Sequence, residues 1–146
     1  MNRKGSILLL SAALLLGAGT AQAALPDEAT MFKNPQCGCC DEYARQLEAR
    51  GVTVKIVDDI EVGKIKQRVG LPYGLGSCHT LQMGGYAIEG HVPFEALEKL
   101  FDERPDTRGI GLAGMPIGTP GMPGPKQGDW DVYQFRDGEA TPFMTL

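Results

Sequence analysis

The sequence has no apolar run long enough to cross a membrane. Its longest run, Ile7 to Leu16, falls short of the roughly 20 residues that a transmembrane helix needs. The run follows the basic residues Arg3 and Lys4 and precedes Ala21-Gln22-Ala23, small residues of the kind that a signal peptidase recognises. This pattern predicts a signal peptide over residues 1–23, cleaved after Ala23. We therefore expect export without membrane insertion after cleavage.

The chain also lacks an excess of basic residues. It has 14 lysines and arginines against 18 acidic residues, a net charge of −4, and loss of the two basic residues in 1–23 would change this to −6. Nucleic acid is not an expected partner, because phosphate binding needs a basic surface. Residues 24–146 suffice for one domain with its own core but not comfortably for two, so we predict a single domain.

Cysteine is scarce, but three of the four cysteines lie within four residues. These are Cys37, Cys39 and Cys40 of the segment CGCC, and the fourth is Cys78. In an oxidising exterior, unprotected thiols tend to pair, so two disulfides are the simplest expectation. Pairing of Cys37 with Cys40 and of Cys39 with Cys78 is one example, although the spacing does not fix the connectivity.

The periodicity of apolar residues predicts the element order βαβαββα. A strand at 29–33 leads into the cysteines, a helix ends before Gly51, and a strand and a second helix follow. Two short strands around Gly84-Gly85 then precede a helix that begins near Pro93. This order predicts a thioredoxin-like domain, with a mixed central sheet flanked by helices. A generic α/β sandwich is the alternative. The predicted apolar faces of the helices are Tyr43, Ala44 and Leu47; Val62, Ile65 and Val69; and Phe94, Leu97, Leu100 and Phe101.

The segment from Gly109 to Gly128 is rich in glycine and proline, which predicts a long loop without regular helix or strand. A strand-like tail with a turn at Asp137-Gly138 then predicts a C-terminal hairpin or edge strand. Met115 and Met122 lie in this loop, where thioethers could bind reduced copper, but we expect both to fill gaps in the core. Met83 is also expected in the core.

The cysteine cluster has the chemistry of a metal or redox site. At a helix N-terminus the unpaired amides favour thiolates, and the thiolate is both nucleophile and metal ligand. Three such crowded sulfurs fit one tetrahedral zinc ion poorly, whereas they suit bridging of several soft ions such as Cu(I). A thioredoxin-like fold would return Cys78 and His79 beside them. Paired disulfides and metal binding remain equal alternatives, and a simple thiol exchanger is less favoured.

The two histidines have different expected roles. His79 follows Cys78 directly and is predicted to act as a ligand, as a proton acceptor or as a support for the ligands. His91 precedes the helix at Pro93, and a hydrogen bond at the start of that helix would explain it. We therefore treat His91 as a weak candidate.

Four motifs resemble a known family of exported bacterial proteins, the CopG-like copper-resistance proteins, long catalogued as a domain of unknown function. They are NPQCGCCDEY, GLPYGLGSCHT, GGYAIEGHVP and ERPDTRGIGLAGMPIGTPGM, and the resemblance runs from about Met31 to Met122. It implies a thioredoxin-like periplasmic protein in which Cys37, Cys39, Cys40 and Cys78 carry the metal chemistry, with copper binding coupled to thiol redox change. From Pro125 onward no motif matches.

These observations predict a periplasmic copper-resistance protein that holds Cu(I) in a cysteine-bridged, multinuclear cluster. Cys37 and Cys40 would anchor the cluster, Cys39 and Cys78 would bridge the ions, and His79 would bind or tune them. Copper exporters or oxidases would be its partners. The competing hypothesis is a thiol–disulfide oxidoreductase acting on protein disulfides, with Cys37 as nucleophile and Cys40 as resolving thiol. A third is a disulfide-bonded interaction module.

Overall fold

The computed structural model describes residues 24–58 and 61–146, so the predicted signal peptide at 1–23 lies outside the described residues. The described residues form seven strands and three helices. No helix among them is long and apolar enough to cross a membrane. The strands are β1 (Glu28–Lys33), β2 (Thr53–Asp58), β3 (His79–Met83), β4 (Tyr86–Glu89), β5 (Gly109–Gly111), β6 (Asp131–Arg136) and β7 (Glu139–Thr145), and the helices are α1 (Gly38–Glu48), α2 (Val62–Arg68) and α3 (Phe94–Glu103).

The helices bury the apolar faces that the sequence predicts. Tyr43, Ala44 and Leu47 of α1 are buried at helical spacing. Burying one large apolar side chain stabilises a fold by about 1.5–3 kcal/mol, so burial of these residues helps to hold α1 against the sheet. The N-terminus of α1, with its cysteines, is thereby fixed against the sheet. The predicted core residues of α3 are also buried, and they are Phe94, Leu97, Leu100 and Phe101.

One mixed sheet forms the centre of the fold, in the strand order β2-β1-β3-β4-β5-β6-β7. The pairs β1–β2 and β4–β5 are parallel, and the other neighbouring pairs are antiparallel. This confirms the mixed α/β class. In the β1–β3 ladder Lys33 pairs with His79. The end of β1, just before the CGCC segment, therefore lies beside the start of β3, just after Cys78.

The strand β5 corrects the prediction of a continuous loop from Gly109 to Gly128. Gly109–Gly111 pairs with β4 on one side and β6 on the other. A Cβ atom at Gly109 would lie 1.9 Å from the carbonyl oxygen of Ala87, so glycine permits this close approach of the backbones. Glycine is therefore required for the pairing here, although it usually disfavours a strand. The irregular segment begins only after β5.

The chain ends in the predicted hairpin. Strands β6 and β7 are joined at Asp137-Gly138, whose φ angles of 51° and 82° both lie in the left-handed region. Such a two-residue turn matches the natural twist of a hairpin. The amide of Gly138 also donates to the carbonyl of Gly70, 3.0 Å away. This hydrogen bond holds the hairpin against the loop that leads towards Cys78.

Candidate metal centre

The CGCC segment lies at the start of α1, as predicted. Cys37 caps the helix, and Gly38, Cys39 and Cys40 form its first turn. The amide of Cys37 donates to the carbonyl of Asn34 at 3.1 Å, which closes a tight turn before the helix. A disulfide joins Cys37 to Cys40, so the first of the two expected pairings is formed. The thiolates expected at these two positions therefore require reduction of this bond.

The ammonium group of Lys33 ties this turn to the fold. Lys33 is only 2% exposed, and its Nζ atom lies 3.2 Å from Asp41 Oδ1 and 3.1 Å from Asp58 Oδ1. It also donates to the carbonyl of Asn34 at 3.2 Å. Burial lowers the pKa of Lys33, but hydrogen bonds to Asp58 and Asp41 outweigh this and raise it. The charged ammonium thus holds both the turn and the first turn of α1.

A buried carboxylate, that of Glu89, fixes the segment that carries Cys78. Glu89 is fully buried, and its Oε1 atom accepts hydrogen bonds from the Ser77 amide and hydroxyl, each at 2.7 Å. Its Oε2 atom accepts from the Thr80 hydroxyl at 2.6 Å, and Lys66 Nζ forms an ion pair with Oε1. Since Ser77 and Thr80 flank Cys78, this network fixes the path of the backbone on both sides of the thiol.

The free thiols of Cys39 and Cys78 both contact the sulfur of Met115. The Cys78 Sγ atom lies 3.1 Å from Met115 Sδ, and the Cys39 Sγ atom lies 3.9 Å from it. Cys37 Sγ is 3.5 Å from Cys39 Sγ. These four residues line an open cleft of about 550 Å³, together with Asn34, Pro35, Gln36 and Gly38. The cleft is therefore lined by four sulfur atoms from three separate segments of the chain.

Two expectations about this cleft are wrong. Cys39 and Cys78 are both free in the described structure, so the expected second disulfide is not formed. Met115 is 42% exposed and contacts thiols, so it does not fill a gap in the core. The loop after β5 turns back over the cysteines and inserts a thioether between them. Met83, by contrast, is buried as predicted, and Met122 is half-buried.

The glycine-rich loop can reach the cysteines because its glycines allow close contact. The amide of Gly114 donates to the carbonyl of Gly76 at 3.2 Å, just before Cys78. Gly121 has a φ angle of +85°, and a Cβ atom there would lie 2.8 Å from Cys39 O and 2.9 Å from His91 Nδ1. A larger residue would have to displace the loop, the first turn of α1 or the imidazole.

The two histidines are buried together behind the disulfide. His79 and His91 are both fully buried, with ring centroids 5.0 Å apart. The sulfur of Cys40 and one nitrogen of each ring all lie within 4.8 Å of one another. The Nδ1 atom of His91 donates to the carbonyl of Pro120 at 2.7 Å. The hydrogen bond expected at the start of the helix is therefore wrong, because the glycine-rich loop provides the acceptor.

The sequence does contain a signal for His91. The two strands around Gly84-Gly85 form an antiparallel ladder that pairs Thr80 with Glu89. Extending this register by one residue places His79 opposite Gly90, and the Gly90 amide donates to His79 O at 3.3 Å. The residue after Gly90 must then lie near His79. The hairpin register, rather than the spacing to the next helix, identifies His91 as part of the site.

Burial determines the protonation of both imidazoles. It lowers the pKa of His79 to about 3, assisted by electrostatic repulsion from His91 and Lys66. Burial also lowers the pKa of His91, opposed by the hydrogen bond with Pro120. Both rings are therefore neutral near pH 7. Burial, with nearby Cys39, raises the pKa of the Cys78 thiol, so metal binding there has to displace a proton.

Two solved structures, named "Copper resistance protein copG- Form 1" and "Copper resistance protein copG- Form 2", are similar to this chain. Each is 36% identical to it with a TM-score of 0.75, and the similarity covers 83% of this chain and 98% of the other. The chain belongs to the CopG copper resistance family. A family model described as "Protein of unknown function, DUF411" matches residues 75–122 of this CopG family member. That region includes Cys78, both histidines and Met115. No curated protein matches the chain.

Proposed function

We propose that the chain is a periplasmic copper-binding protein of copper resistance, which holds Cu(I) in a cluster bridged by cysteine sulfurs. Cys37 and Cys40 anchor the cluster, and Cys39 and Cys78 bridge its ions. Met115 adds a thioether, and His79 binds or tunes the metal. The observation that carries this proposal is the convergence of thiol and thioether sulfurs in one cleft, in a member of the CopG family.

The spacing of the sulfurs suits a soft ion. The three measured separations in the cleft are 3.1, 3.5 and 3.9 Å. An ion with metal–sulfur bonds of about 2.3 Å, as Zn²⁺ makes with thiolates, holds two sulfurs about 3.7–4.6 Å apart, depending on the angle. Small rotations of the Met115, Cys39 and Cys78 side chains would open the shorter pairs to this distance. Thiolates and thioethers select Cu(I) among the biological metals, so the donor set favours reduced copper.

Copper loading is coupled to the redox state of the thiols. In the structure Cys37 and Cys40 form a disulfide, which leaves Cys39 and Cys78 as the free thiols. An external dithiol would reduce the disulfide, giving two electrons and two protons to Cys37 and Cys40 and becoming a disulfide itself. The number of sulfur ligands would then rise, and with it the affinity for Cu(I). Exchange with an external disulfide, which would take up the two electrons and become a dithiol, would close the Cys37–Cys40 bond and release copper to its acceptor.

The cellular setting forms part of the same proposal. Residues 1–23 act as a signal peptide, and residues 24–146 form one thioredoxin-like domain in the periplasm. Copper exporters or oxidases receive the metal. The order of the first seven elements, from β1 to α3, and the position of the CGCC segment at the start of α1 support the thioredoxin-like assignment. Amino-terminal sequencing of the protein recovered from the periplasm should begin at Ala24, whereas an intact Met1 would contradict this.

The decisive experiment is an anaerobic titration of the reduced protein with Cu(I) against a competing chelator. More than one ion per chain should bind, and Cys39→Ser or Cys78→Ser should lower the number. The oxidised protein, with the Cys37–Cys40 disulfide closed, should bind fewer ions than the reduced one. Met122→Leu serves as a control in the same loop and should bind as the wild type does. Failure of the reduced wild type to outcompete the chelator would reject copper binding.

A second function is favoured by one observation, the disulfide at the start of α1. A C-x-x-C pair in this position can exchange with protein disulfides, with Cys37 attacking and Cys40 resolving the mixed disulfide. The free Cys39 thiol, 3.5 Å from Cys37 Sγ, would compete in that exchange. Catalysed reduction of a small disulfide that persists in Cys39→Ser and Cys78→Ser would support this function. Loss of turnover only in Cys37→Ser and Cys40→Ser would identify the exchanging pair.

A further inference from the structure

We propose that Cys40, His79 and His91 form a second, buried site for a single Cu(I) ion, located behind the sulfur-lined cleft. The proposal rests on the proposed function, because the ion reaches the site through the thiols of the cleft. It assigns His79 to this second site, from which it tunes the sulfur cluster only through the shared Cys40, and gives His91 a role as a metal ligand.

Unpartnered nitrogens are the first observation behind this site. Four buried side-chain nitrogens of the described residues have no hydrogen-bond partner, and three of them belong to His79 and His91. Buried polar atoms without partners are costly, and each one in a folded protein calls for an explanation. An apolar core would have been served better by leucine at these positions. A metal ion that accepts the lone pairs removes the cost for at least one nitrogen of each ring.

The surroundings of His91 are those of a metal ligand. Its Nδ1–H group donates to the carbonyl of Pro120 at 2.7 Å, and because a carbonyl oxygen can only accept, the proton must be on Nδ1. The lone pair is therefore on Nε2, the unpartnered atom. Histidines that bind metals usually donate their second N–H group to a carbonyl or carboxylate in this way. Tyr43 packs against both rings, at 5.3 Å from His79 and 5.5 Å from His91, and so limits their rotation.

The distances within the group fit one ion. The Cys40 sulfur and one nitrogen of each imidazole lie within 4.8 Å of one another. Three donors spread evenly around one ion, with bonds of about 2.0–2.3 Å as Zn²⁺ makes with imidazole and thiolate, lie about 3.5–3.7 Å apart. The three donors would therefore have to approach one another by at most about 1 Å.

Charge selects Cu(I) for this site. One thiolate and two neutral imidazoles carry a single negative charge, which a monovalent ion cancels, whereas a divalent ion would leave a net positive charge buried. Three donors also suit Cu(I), while structural zinc sites use four. The ion enters only after an external dithiol has reduced the Cys37–Cys40 disulfide. Cys40 then loses its thiol proton to solvent as its sulfur binds copper.

The experiment uses the fact that the chain has only two histidines. Protein labelled with ¹⁵N in histidine is fully reduced and titrated with Cu(I) alone, without oxygen, while the ring nitrogens are followed by NMR. One nitrogen of each ring should shift strongly on binding. The double variant Cys39→Ser/Cys78→Ser should still hold one Cu(I) per chain with the same shift. His91→Gln in that background should lose this ion, and Cys40→Ser, which keeps both imidazoles, should lose it as well.

The outcomes separate the two proposals. If the reduced wild type binds no Cu(I), the proposed function fails and the buried site fails with it. If Cu(I) binds and both imidazoles stay unshifted, the proposed function stands and the buried site is overturned. If the imidazoles shift in the wild type but the double variant binds no copper, the histidines are ligands of the thiol cluster and a separate site is overturned.

Discussion

Acid should destabilise the metal-free, oxidised protein at a pH well above the titration of ordinary carboxylates. His79 has a pKa of about 3 in the folded protein against 6.5 without its surroundings. Between these values the unfolded chain binds a proton at this residue that the folded chain does not bind. The free energy of unfolding therefore falls as the pH falls through this window, and His79 makes no further contribution below pH 3.

The size of the effect follows from the width of the pH interval. One pH unit within the window corresponds to about 1.36 kcal/mol for one such group, so acidification from about pH 6.5 to pH 5 should cost about 2 kcal/mol. His91 adds a loss of the same sign, because burial lowers its pKa as well. A loss of about 2 kcal/mol is a large share of the free energy of unfolding of a typical domain, which is about 5–15 kcal/mol. Most carboxylates remain ionised above about pH 5, so they contribute little there.

Urea denaturation at several pH values, followed by far-UV circular dichroism, measures this slope. His79→Leu provides the comparison, because leucine fits an apolar site and removes two unpartnered nitrogens. The variant should lose about 2 kcal/mol less than the wild type between pH 6.5 and pH 5. Equal slopes in the two proteins would refute the reasoning, since His79 would then be protonated in the folded state or exposed to solvent.

Three further substitutions test residues that position the candidate site or line it. Glu89→Gln breaks the buried ion pair with Lys66 and should lower the free energy of unfolding by about 3 kcal/mol in urea denaturation, whereas an unchanged value would show that the network is dispensable. Gly121→Ala should destabilise the protein by about 1–3 kcal/mol more than Gly128→Ala, because both glycines have a positive φ angle but only Gly121 has neighbours within 4 Å of a Cβ atom. Met115→Leu should weaken Cu(I) binding in chelator competition without changing the melting temperature, and equal affinities would exclude the thioether as a ligand.

Local patterns predict most of the fold. The helices α1 and α3 and the hairpin β3–β4 follow from periodicity and from turn residues, and the structure places them as expected. The strand β5 could not be found in this way. Gly109–Gly111 has no side-chain pattern, and it is a strand only because β4 and β6 offer hydrogen bonds on both sides. Such pairing depends on the tertiary arrangement, which a local window of sequence does not contain.

The candidate site, too, can be predicted only in part from local sequence patterns. Cys37, Cys39 and Cys40 are adjacent in sequence, so their proximity is evident, and Cys78 follows from the return of β3 beside β1. The contact of Met115 with the thiols depends on the path of an irregular loop. That path is set by close approaches of glycine backbones, such as that of Gly114 to Gly76, which periodicity does not reveal.

The sequence separation of the sulfur atoms in the cleft has a consequence for biogenesis. Met115 is 76 residues from Cys39 and 37 from Cys78, so an unfolded chain brings only the CGCC thiols close together. Copper that met the chain at that stage would be captured by these thiols alone. The Cys37–Cys40 disulfide leaves only one of these three thiols free, so it protects the other two from metal until the chain has folded. If the proposed function holds, the productive order would be to fold with the disulfide closed, to be reduced, and then to receive metal.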